Sequence, residues 1–74
     1  MKSIIQFKIS NIDGVYVAEG VDVAIVTEAQ SFDVLVQNIR EAVTLHFEDE
    51  DPSIMDFMTK QPSILLNYEI PQYA

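Results

Sequence analysis

The sequence has no cysteine, only two glycines and three prolines, one histidine, and four basic residues against twelve acidic ones. Without cysteine, no disulfide can staple the chain and no thiolate is available for zinc binding or nucleophilic attack. The same absence agrees with a reducing compartment, so the cytoplasm is the expected location. Few glycines and prolines, with the apolar content, suit a packed globular chain rather than a disordered tail. No apolar run approaches the roughly 20 residues of a membrane span. Near the start, Ile4, Ile5, Phe7 and Ile9 are interrupted by Gln6, Lys8 and Ser10, so the continuous apolar stretch of a signal peptide is missing. No targeting segment and no membrane partner are expected.

The shortage of bases leaves a formal net charge of -8. Such a field repels phosphate backbones, so direct nucleic-acid binding is not expected. A basic protein would be drawn toward it, because complementary fields raise encounter rates. The plainer reading is that the charge keeps a small domain in solution.

What the sequence does have is a packed composition, with 49% hydrophobic residues in 74. That length allows one domain and sits at the low end of what a single core can hold folded. With no disulfides, the remaining stability must come from good packing, from a partner or from self-association, and a homodimer or higher homo-oligomer is the favoured expectation.

Ile5, Phe7 and Ile9 alternate with polar residues, which predicts a first strand with one wet face. Asn11-Ile12-Asp13-Gly14 follows, and Asp-Gly between apolar runs is a strong hairpin signal. A second strand is predicted over residues 15–20. Gly20-Val21-Asp22 then reads as a short turn, and the β-branched run of residues 23–27 as a third strand. At Ser31 the period changes. Its hydroxyl can cap a helix, Asp33 suits the positive end of the dipole, and Leu35, Ile39, Ala42, Val43 and Phe47 recur at helical spacing. A helix over residues 32–47 would rise about 24 Å and cover one face of the meander. Glu48-Asp49-Glu50-Asp51 and Pro52 should end it. Residues 53–61 are a candidate short second helix, and Ile64, Leu66, Tyr68 and Ile70 mark a fourth strand. The reading is an α+β fold of β-β-β-α-β order, an antiparallel three-strand meander covered by one helix.

Two stretches resemble the HicB-like antitoxin family. Asp13-Gly14-Val15-Tyr16-Val17-Ala18-Glu19 is similar to the Asp-Gly turn and aromatic strand that open those domains. Thr27-Glu28-Ala29-Gln30-Ser31-Phe32-Asp33 leads into Gln37-Asn38-Ile39-Arg40-Glu41-Ala42-Val43, which resembles the family's capped Asn-Ile-Arg-Glu-Ala-Ile-like helix. The likeness covers residues 5–47. Two departures stand out: the family's Pro-Gly-Cys-like turn is replaced by Gly20-Val21-Asp22, and Ala29 stands where glycine is common. The resemblance implies a single HicB-like domain over residues 1–74, with a partial ribonuclease H-like fold whose fourth strand returns parallel to the first. It also implies a partner, a small basic RNase toxin of the HicA-like kind, blocked by physical cover. Many members continue into a DNA-binding module after this domain. None is visible before Ala74, so autorepression by direct DNA binding is not expected.

Catalysis is not expected. Ribonuclease H-like nucleases hold metal ions with carboxylates, one of them on the first strand, because two-metal chemistry must clamp both the attacking and the leaving oxygen. Residues 4–10 carry no acid. His46, the only histidine, has no cysteine or triad spacing beside it and reads as a boundary residue near the helix end. Glu48, Asp49, Glu50 and Asp51 lack the alternation and central glycine of a calcium loop, and read as a solvated run or as steering charges for a basic partner. Met55, Phe57 and Met58 are adaptable side chains that suit either the last core layer or a partner surface. These seven residues are the candidate partner-binding set. Tyr68 and Tyr73 suit a half-wet interface or simple packing. No cofactor and no metal is expected.

Overall fold

The computed structural model describes residues 3–48 and 62–70. The first strand, β1 (Ile4–Ile12), buries Ile5, Phe7 and Ile9 on one face and leaves the alternate residues at the surface. Asp13 (φ 52°) and Gly14 (φ 85°) turn the chain. Both central residues at positive φ make this a type I′ turn, whose twist matches that of the strands it joins. The Asn11 side-chain oxygen accepts the Gly14 amide at 3.1 Å. The chain returns as β2 (Val15–Gly20), antiparallel to β1 with Ile12 opposite Val15.

The next connection differs from the short turn expected. The third strand, β3 (Val26–Ala29), starts three residues later than the predicted one, and residues 21–25 form a folded-back loop. The Gly20 amide donates to the Ile25 carbonyl at 2.8 Å, and the Val21 amide to the Gln6 carbonyl at 2.9 Å. These bonds carry the β1–β2 and β2–β3 registers one pair further, to Gln6–Val21 and Gly20–Ile25, so the chain reverses over residues 21–24, and the Ile25 side chain is buried. The β-branched content of residues 23–25 serves packing here and not strand pairing.

The helix α1 (Phe32–Glu48) starts where the cap predicts. The Ser31 hydroxyl accepts the Val34 amide at 3.2 Å, while the Ser31 carbonyl takes the first helical bond from Leu35 at 3.0 Å. Leu35, Ile39, Val43 and Phe47, each four residues apart, form its buried stripe. The last strand, β4 (Ser63–Tyr68), lies parallel to β1, with Ile5 beside Ile64 and Phe7 beside Leu66. The sheet order is β3-β2-β1-β4. The α+β reading holds, including the parallel return of the fourth strand. The candidate second helix lies outside the described residues.

The core is one cluster between α1 and a single sheet face, built from Ile5, Phe7, Ile9, Ala18 and Ile25 below and the helix stripe above. No polar side chain is buried among the described residues. The helix lies mainly over β3 and β2, so β4 at the far edge has little cover from it.

Candidate partner interface

Of the seven residues proposed from sequence, Glu48 is described. It is exposed at the last position of α1, at the end opposite the Ser31 cap. Asp49, Glu50, Asp51, Met55, Phe57 and Met58 lie outside the described residues, as does Tyr73. His46 is half-buried, with its ring edge-on to Phe47 at 5.6 Å and an interplanar angle of 87°. It serves as a boundary residue, as its place near the helix end implies.

Three surfaces bear on function. The first is the sheet face turned away from α1, which no described element covers. Strand alternation sends Val17 and Glu19 of β2 to this face, because Ala18 between them points into the core. The β2–β3 register sets Val17 opposite Glu28 and Glu19 opposite Val26. Two carboxylates therefore stand diagonally among valines, and Val26 is 69% exposed. Lys8 of β1 lies directly opposite Glu19 in the β1–β2 register, which tempers that charge. Glu28 has Val17 as its cross-strand neighbour instead.

The second surface is an apolar groove between α1 and β4. Val36, Ile39 and Arg40 form one wall, and Pro62, Ile64 and Leu66 the other, enclosing about 330 Å³. It exists because α1 sits toward β3 while β4 extends the sheet the other way. Arg40 gives this otherwise apolar groove a cationic rim.

The third is an aromatic group on the helix side of the sheet. Tyr16 meets Phe32 at 5.7 Å and Tyr68 at 6.1 Å, both edge-on. It ties the first turn of α1 to β2 and to the end of β4. Among the described residues, no group of three His, Asp or Glu side chains is placed to hold a metal ion.

Sequence reasoning singled out the acidic block and missed the uncovered sheet face. The signal was present in the alternation of residues 15–20, where Val17 and Glu19 share a side. Its pairing with Glu28 could not be read, because it depends on where β3 begins.

A family model described as "Domain of unknown function (DUF1902)" matches residues 2–60. No curated protein and no solved structure matches the chain.

Proposed function

From the premise that the chain belongs to the DUF1902 family of domains of unknown function, we propose that it is a non-catalytic protein-binding module that captures a basic protein partner. The observation that carries this reading is the uncovered sheet face, where Glu19 and Glu28 stand diagonally among exposed and half-buried valines in a chain of net charge -8. Apolar contact supplies affinity, and the surrounding acids steer a positively charged surface into place. The resemblance to HicB-like antitoxins supports a small RNase toxin as that partner, its positive RNA groove being the complement of this surface. The parallel β4 in the β-β-β-α-β order agrees with the partial ribonuclease H-like fold of those antitoxins. β1, where a nuclease of that fold carries a carboxylate, has no acid at any of its nine positions, which supports a binding role over catalysis. The proposed setting is the cytoplasm.

Co-expression with the adjacent open reading frame, followed by pull-down and growth rescue, tests the reading. Rescue of a toxic neighbour and co-purification are the expected results. A neighbour that is harmless and does not co-purify overturns it.

A second reading, an orphan homo-oligomer with a structural or regulatory role, is favoured by one observation. Among the described residues, β4 has no strand partner on its outer edge.

A further inference from the structure

We infer that β4 is a self-pairing edge: two copies of the chain join β4 to β4 antiparallel, making one continuous eight-stranded sheet with both α1 helices on the same face. This deepens the homo-oligomer reading and is independent of the basic partner.

The backbone supplies the template. The Ser63 amide donates to the Ser3 carbonyl at 3.0 Å, so Ser63 addresses β1. By the alternation of a strand, Leu65 and Asn67 address β1 as well, while Ile64, Leu66 and Tyr68 turn their amides and carbonyls outward. Among the described residues this row is unpaired, and such a row is a ready site for strand addition unless charge, proline or a bulge blunts it. Ser63–Tyr68 carries no charged side chain and no proline, and pairs with β1 one residue to one without a bulge. The opposite edge is blunted. β3 has only four residues, one of them Glu28, and the Glu28 carbonyl already accepts a bond from Asn38 of α1 at 3.3 Å.

The occupant follows from chemistry. A basic partner would find no acid on β4 to read, whereas the strand is complementary to itself. A two-fold axis perpendicular to the sheet keeps each face on its own side, so residues facing one another must share a face. Placing the axis at Leu65 sets Ile64 opposite Leu66 of the second copy and Ser63 opposite Asn67. Leu65 meets its own counterpart on the uncovered face. Ile64 and Leu66 also line the groove beside α1, so pairing extends the apolar surface on the helix side. Leu65 is 45% exposed and gains cover. The acids of the described residues lie off this strand, and their mutual repulsion is the main force opposing the pair.

Sedimentation or light scattering on the full chain tests the inference. The wild-type protein is expected to be a dimer at micromolar concentration, tightening as salt screens the repulsion. Leu65→Lys and Leu65→Glu each place like charges across the axis at about 4.5–5.5 Å between Cβ atoms. Each variant alone is expected to be monomeric, with dimerisation weakened at least about tenfold, and an equimolar mixture is expected to restore a dimer. Circular dichroism of each variant should match the wild type, because Leu65 is outside the core. A wild-type monomer overturns the inference, and so does a dimer that Leu65→Lys leaves intact. Capture of a basic protein would weaken with salt, so the opposite salt responses show which of the two proposals has failed.

Discussion

Ile5 of β1 and Ile64 of β4 lie side by side in a parallel register although most of the chain separates them. Ile5 is fully buried and Ile64 partly so, and α1 lies on the face they share. This pairing makes the domain a sheet of four strands instead of a meander of three. It also creates the edge and the groove on which the interface proposals stand.

The capping bond from the Val34 amide to the Ser31 hydroxyl closes the start of α1. Ser31→Ala is expected to cost about 1 kcal/mol. In a domain of this size that lowers the melting temperature by about 4–8 °C. Ser31→Asp should restore it, since a carboxylate accepts the same bond and favours the helix N-terminus. Thermal melts followed by circular dichroism check both.

The two glycines are needed for different reasons, and alanine at each separates them. At Gly14, with φ 85°, a Cβ meets nothing within 4 Å, so Gly14→Ala costs only the left-handed backbone, about 1 kcal/mol. At Gly20 a Cβ would come within 2.5 Å of the Val23 carbonyl oxygen and 2.8 Å of its Cγ2. Gly20→Ala must therefore shift the folded-back loop, at about 1–3 kcal/mol, and should be the more destabilising of the two in urea denaturation.

Phe47 is 1% exposed at the foot of the helix stripe. Phe47→Ala removes about 3–5 kcal/mol of core packing. That is comparable to everything a domain this small retains, so the variant is expected to be unfolded at physiological temperature. Phe47→Leu should stay folded with a lowered melting temperature.

The edge-on contacts of Tyr16 with Phe32 and Tyr68 are expected to contribute about 0.5–1.5 kcal/mol each beyond area burial. Double-mutant cycles with Tyr16→Leu, Phe32→Leu and Tyr68→Leu measure the coupling. A coupling near zero for the Tyr16–Tyr68 pair would mean that the end of β4 is held by its backbone ladder alone.

If a basic partner is captured, neutralising Glu48, Asp49, Glu50 and Asp51 together should slow association several-fold at low salt and leave the high-salt rate unchanged. Steering charges act through the long-range field, and salt removes it. An unchanged low-salt rate removes this block from the interface. Glu19→Gln with Glu28→Gln then tests the uncovered sheet face in the same way.

The local chemistry of this domain is written in short stretches. Asp13-Gly14 specifies its turn because that geometry needs positive φ at both positions. Ser31 specifies the helix start because one hydroxyl meets one free amide, and the four-residue spacing from Leu35 to Phe47 specifies which helix face is buried. The acidic character is a matter of composition and needs no fold to be read. Tertiary structure decided the rest. The chain reverses over residues 21–24 because the Gly20 amide meets the Ile25 carbonyl and the Val21 amide the Gln6 carbonyl, a choice made between strands and not within one, and β3 is left to begin at Val26. The register that sets Glu19 and Glu28 among valines follows from it, since a one-residue slip would send every side chain to the other face. The outer edge of β4, bare among the described residues, is likewise a property of the sheet order. Residues 63–68 show that they are a strand, but only their pairing with β1 determines which of their amides remain turned outward.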